Sequence, residues 1–150
     1  MFSMKKNKII LGILIVAWLC LIWGHSLQPA VVSAGESAKW LQIICKICPF
    51  ITNDDNGMFI VRKAAHFTEY GVLGVLLALE MAQFVRGWFR RFVEPLLLAL
   101  SVAFIDETIQ LFVVGRSGEV RDMWIDVAGA ALAIVITLAI IGNRRGKRRY

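Results

Sequence analysis

The sequence predicts an all-α membrane protein: a bundle of four transmembrane helices with an amphipathic helix in the first extracellular loop. Three observations predict it. Hydrophobic residues make up 58% of the 150, and the mean hydropathy is +0.66, far above a soluble domain of this length. The charged residues are clustered and leave long apolar gaps. Those gaps approach the ~20 residues that cross a bilayer core. Backbone groups in lipid must satisfy one another, so the spans are helices. Residues 1–150 are read as one domain, with neither an internal repeat nor a low-complexity linker.

The spans are expected at about 9–24, 60–84, 93–114 and 122–142. The first is the shortest, framed by Lys8 and His25. It has a rival reading as a signal peptide, with "MKKNK" before it and cleavage after Ala34 of "VVSA". The long gap from Trp23 to Ala34 favours an uncleaved anchor. Between the first two spans, "AKWLQIICKICPFI" has helical periodicity. Trp40, Leu41, Ile44, Ile47, Cys48 and Ile51 share one face, and Lys39, Gln42 and Lys46 the other. Pro49 weakens or ends this helix. It is read either as lying in the outer membrane interface or as packed on the other spans. "TNDDNG" after it is a turn-rich loop tip.

Orientation follows the basic residues near the span ends. Lys5, Lys6, Lys8, Arg86, Arg90, Arg91, Arg144, Arg145, Lys147, Arg148 and Arg149, eleven of the 17, fall on one side. That side is cytoplasmic, so both termini are expected inside a bacterial cell membrane crossed several times. The net charge of +6 then reflects the inner membrane face, with the basic tail near anionic headgroups, and no nucleic-acid partner is expected. Three cysteines are too few for a disulfide framework. Cys20 is a small apolar group in the first span. Cys45 and Cys48 are read as two thiols on a helix, with a local disulfide as the alternative; a zinc site would need further ligands. Trp18, Trp23, Trp40, Trp88 and Trp124 are expected as interfacial anchors.

The polar residues inside the spans carry the functional argument. Arg62, His66 and Glu69 recur at helical spacing, with Lys63 and Tyr70 beside them. In "SVAFIDETIQLF", Asp106 and Gln110 share a face and Glu107 lies ~100° around. Asp122, Asp126 and Gly129 form a third stripe, and the hairpin "GRSGEVR" presents Arg116 to the same region. All three stripes fall in the outer half of the bilayer. A lone charge at mid-bilayer costs ~2.5–3.5 kcal/mol, so these groups must face one another, a hydrated cleft or a ligand. Asp106 and Glu107 are expected within reach of His66, Arg62 and Arg116.

"RKAAHFTEYGVLG", "DETIQLFVVGRSGEVRDMWIDVAGA" and the earlier "HSLQP" resemble the VanZ-like family of integral membrane proteins, named for a protein associated with resistance to the glycopeptide teicoplanin. By position, Lys63, His66, Glu69 and Tyr70 match the family's first pattern. Asp106, Glu107 and Gln110 match its second, and Arg116, Asp122, Asp126 and Gly129 its third. Val114 stands where many relatives have proline, and Ala133 where a second glycine is common. The resemblance implies a membrane protein and glycopeptide tolerance.

Three functions follow as expectations. The first is binding of a lipid headgroup, a lipid-linked cell-wall intermediate or a lipoglycopeptide in a polar outer-leaflet cleft. Its ligand-binding residues would be Arg62, Lys63, His66, Glu69, Tyr70, Asp106, Glu107, Gln110, Arg116, Asp122 and Asp126. The second is an intramembrane enzyme acting on a lipid-linked envelope substrate. His66 would be the acid–base group, Glu69 or Asp106 would orient it, and Arg116 would stabilise negative charge; Glu107 is a further candidate. No resident cofactor is predicted, although His66, Glu69, Asp106, Glu107, Asp122 and Asp126 offer enough ligand atoms for a divalent metal. The third is a transport or partner role, in which Gly71, Gly74, Gly129 and Ala133 would permit close helix contact, within one chain or in a homodimer.

Overall fold

The computed structural model describes the backbone of residues 2–48 and 50–146, and side chains within residues 8–142. Lys5, Lys6, Pro49, Arg144, Arg145, Lys147, Arg148 and Arg149, which entered the expectations above, lie outside the described side chains. The described residues form five helices and no strand: α1 (Phe2–Ser26), α2 (Ala30–Ile47), α3 (Asp55–Phe84), α4 (Trp88–Gln110) and α5 (Val120–Gly146).

Two helices are long and apolar enough to cross a membrane. The windows Lys8–Ser26 of α1 and Val120–Gly142 of α5 have mean hydropathies of 2.2 and 2.4. With 30 and 23 residues, α3 and α4 are about 45 and 35 Å long at 1.5 Å per residue, but both are interrupted by charge.

Helix α3 is the centre of the bundle and touches each of the other four. Its Tyr70, Leu73 and Leu77 pack with Ile22 of α1, Ala99 and Ala103 of α4 and Ala130 of α5. Small residues set the spacing between α3 and α5. A Cβ on Gly74 would stand 2.6 Å from the Ala130 carbonyl oxygen, and one on Gly129 would collide with the Phe67 carbonyl. Removing the side chains lets the two backbones touch. These glycines are therefore used inside the chain, and a homodimer would need another face.

The ends of the helices have identifiable caps. Asp54 caps α3: its Oδ1 accepts from the Gly57 N–H at 2.9 Å, and its Oδ2 from the Thr52 hydroxyl at 2.7 Å. The bonds from Gly57 and Thr52 hold this carboxyl below the usual carboxylate range. At the far end of α3, Arg91 donates through Nε to the Val85 carbonyl at 2.8 Å, satisfying a carbonyl that the helix leaves free.

Two boundaries differ from expectation. The third apolar segment stops being α-helical at Gln110, not Val114. Phe112 N–H bonds Ile109 O and Val113 N–H bonds Gln110 O, a tightening into i→i−3 turns, and Gly115 has φ +77°. Helix α2 starts at Ala30, well before the "AKWLQ" stretch. Pro29 introduces it, and the Ala30 N–H bonds the Val114 carbonyl at 3.2 Å, tying α2 to the hairpin. The expected apolar face of α2 divides: Leu41 is buried, whereas Trp40 and Ile47 are exposed and Ile51 lies beyond the helix.

The reading of all five tryptophans as interfacial anchors is corrected at two positions. Trp18 and Trp23 pack against the core, and the Trp18 indole N–H donates to the Glu69 carbonyl at 2.9 Å. Trp40, Trp88 and Trp124 are exposed. Cys20, Cys45 and Cys48 are free thiols.

Candidate functional site

The adjacent acids of α4 face inward and are held by different partners. Asp106 is fully buried; it accepts from the Ser26 hydroxyl at 2.6 Å and from Gln110 Nε2 at 3.2 Å. Glu107 accepts from the Glu119 N–H at 2.7 Å and from Gln110 Nε2 at 3.3 Å. Their ~100° separation on the helix sends one toward α1 and the other toward the hairpin. Among the described residues Arg62 and Arg116 bond neither acid; Arg116 reaches them through Gln110, and His66 lies close to Asp106.

Arg116 forms no ion pair among the described residues. Its Nε donates to the Gln28 carbonyl at 3.0 Å, one terminal nitrogen to the His25 carbonyl at 3.0 Å, and the other to Gln110 Oε1 at 3.4 Å. It thus covers the carbonyl end of α1, where both free acceptors and the helix dipole favour a cation. Lys63 Nζ pairs with Asp122 Oδ1. Glu69 turns to α1, with His25 Nδ1 at 2.8 Å from its Oε1.

The third carboxylate, Asp126 on α5, is fully buried. His66 Nδ1 lies 3.3 Å from its Oδ1, but neither oxygen of Asp126 nor the His66 Nδ1 makes a hydrogen bond, and the buried Tyr70 hydroxyl is likewise unbonded. Ligand atoms of His66, Asp106 and Asp126 all lie within 4.8 Å of one another.

Beside this polar layer is a cavity of about 510 Å³ between the end of α1, helix α2 and the first half of α3. That volume suits a small-molecule or headgroup site. Of the residues expected to bind ligand, Arg62, His66, Glu69 and Arg116 line it. Lys63, Tyr70, Asp106, Glu107, Gln110, Asp122 and Asp126 do not; they form the layer behind it. The single cleft expected from sequence is therefore two features that share His66. Of the six residues read as offering metal-ligand atoms, His66, Asp106 and Asp126 come together, whereas Glu69 and Asp122 turn to His25 and Lys63 and Glu107 to the Glu119 N–H.

Sequence reasoning missed the wall contributed by α1 and α2. Trp18, His25, Ser26, Gln28, Glu36 and Trp40 all line the cavity. "HSLQP" was the available signal: it contains three of these six residues, and its serine anchors Asp106.

Arg62 is exposed and has neither an ion-pair nor a hydrogen-bonding partner among the described residues. It lines the same cavity as Arg116. The site thus combines two guanidinium groups, a carboxylate–imidazole pair and indole and aliphatic surface, a combination that can hold an anionic or sugar-bearing headgroup beside a chain.

A family model, VanZ/LLP1, matches residues 11–141, which covers every helix of the site. No curated protein and no solved structure matches the chain. The chain belongs to the VanZ/LLP1 family.

Proposed function

We propose that the protein is a multi-pass bacterial membrane protein that binds a polar-headed lipid, a lipid-linked cell-wall intermediate or a lipoglycopeptide in an outer-leaflet cleft, and so gives tolerance to glycopeptides such as teicoplanin. Residues 1–150 act as one domain in this reading. Helices α1, α3, α4 and α5 cross the bilayer, both termini are cytoplasmic, and α2 lies at the outer surface. The exposed apolar side chains support the four crossings: Ile13 and Val16 on α1, Phe67 and Val75 on α3, Phe104 on α4 and Val135 and Ile136 on α5 would otherwise face water. Inward-facing acids on α4 remove the objection that charge raises to its insertion.

The observation that carries the proposal is the cavity with Arg62 on its wall and, among the described residues, no carboxylate paired to it. A cation beside a mostly apolar cavity invites an anionic headgroup whose acyl, prenyl or lipophilic tail leaves toward the exposed face of α2. Alanine at Arg62, His66, Glu69 and Arg116, compared at matched protein levels, tests it in cells. Tolerance to a lipoglycopeptide should fall in variants that still accumulate. If all of them retain tolerance, the cluster serves only to hold helices together. Lipid mass spectrometry with and without the protein separates binding from the enzyme reading, because only an enzyme yields a new product.

A further inference from the structure

We infer that His66, Asp106 and Asp126 form a binding site for one divalent transition-metal cation of the zinc or manganese class. The inference goes beyond the cleft reading, since the ion needs no lipid ligand. It starts from charge. Two fully buried carboxylates, Asp106 and Asp126, face a single imidazole. The neighbouring basic groups are engaged elsewhere: Lys63 by Asp122, and Arg116 by two carbonyls and Gln110. Among the described residues, no lysine or arginine bonds either acid.

The second observation is the state of Asp126. Both of its oxygens are buried and unbonded, as is the His66 Nδ1 beside them. A carboxylate so placed, with one imidazole 3.3 Å away and no hydrogen bond to it, is poorly compensated for its burial, and a cation would remove that cost. The spacing suits one. Two atoms each ~2.1 Å from an ion lie ~3.0–3.4 Å apart for right-angled to tetrahedral arrangements, and His66 Nδ1 stands 3.3 Å from Asp126 Oδ1. The widest separation in the trio, within 4.8 Å, closes around an ion by small side-chain shifts.

The outer partners have the expected form. Ser26 and Gln110 each hydrogen-bond Asp106, fixing a ligand carboxylate from behind. One imidazole with two carboxylates favours zinc or manganese over calcium, which prefers oxygen alone. His66 also lines the cavity, so an ion bound by three protein ligands keeps an open side toward it.

The test uses the full chain in nanodiscs, stripped with a chelator and titrated separately with Zn²⁺, Mn²⁺ and Mg²⁺, reading metal per chain and Tm. One Zn²⁺ or Mn²⁺ per chain and a raised Tm are expected. Asp126→Asn and Asp106→Asn should weaken uptake at least tenfold, while Glu94→Gln, on the opposite end of α4, leaves it unchanged. The inference is overturned if the stripped wild type takes up neither ion, or if the asparagine variants bind as it does. Should both variants fail to accumulate, uptake by the wild type and its loss in His66→Ala decide. Lipid or lipoglycopeptide binding measured on the same samples separates the two readings: binding kept without metal uptake sinks this inference alone.

Discussion

Ser26, the last residue of α1, donates its hydroxyl to Asp106 of α4 across 2.6 Å, with both side chains buried. Eighty residues separate them in the chain, so this bond locks the first helix to the polar layer. Replacing Ser26 by alanine leaves Asp106 with Gln110 as its remaining donor. The expected loss is ~1.5–3 kcal/mol, the range for a bond to a charged group. Reversible denaturation of the detergent-solubilised protein measures it; a loss below a few tenths would mean the acid is not held this way.

Arg116 covers the carbonyl end of α1 with a planar fork that lysine cannot reproduce. Arg116→Lys should therefore fray α1, with faster amide exchange at Leu27 and Gln28, whose N–H groups bond the Trp23 and His25 carbonyls. A protein in which Arg116 serves only a ligand would show unchanged exchange there and weaker ligand binding alone.

The Lys63–Asp122 pair joins α3 to α5 with both side chains mostly buried. Asp122→Leu strands the ammonium and should cost about 3 kcal/mol, the low end for breaking a buried pair. The double variant Lys63→Met with Asp122→Leu should recover much of that loss. Denaturation of the two singles and the double forms the cycle; strict additivity would contradict a direct coupling.

These pairings show where the sequence stops being legible. The existence of the long helices followed from apolar length alone, and the stripes of His66, Asp106 and Asp126 followed from helical spacing. Partner choice did not, because it depends on helix rotation and on backbone carbonyls that carry no letter in the sequence. Arg116 reads as an anion binder until the carbonyls of His25 and Gln28 are placed beside it. "LFVV" reads as the continuation of a span, but the bonds of Phe112 and Val113 turn it into the hairpin. Glu107 looked like a partner for a cation, and instead accepts the Glu119 N–H, a backbone contact that no side-chain pattern announces.

Asp54 gives a pH-dependent prediction at the loop end of α3. Its folded pKa is depressed, chiefly by the Gly57 N–H and then by the Thr52 hydroxyl. The unfolded carboxyl titrates near ~3.9. Its contribution is therefore present above that value and is lost as pH falls toward the lower folded pKa. Amide exchange at Gly57 and Met58, referred to the intrinsic rate at each pH, should lose protection over that acid range in the wild type. In Asp54→Ala the protection should already be low at pH 7.

The most direct measurement of the central claim is binding by purified protein in nanodiscs, titrated with a lipid-linked cell-wall intermediate and with teicoplanin. The account predicts saturable binding of at least one of them, weakened about tenfold by Arg62→Ala, a change of ~1.4 kcal/mol. Saturable binding that Arg62→Ala leaves untouched, or no binding of either compound, would contradict it.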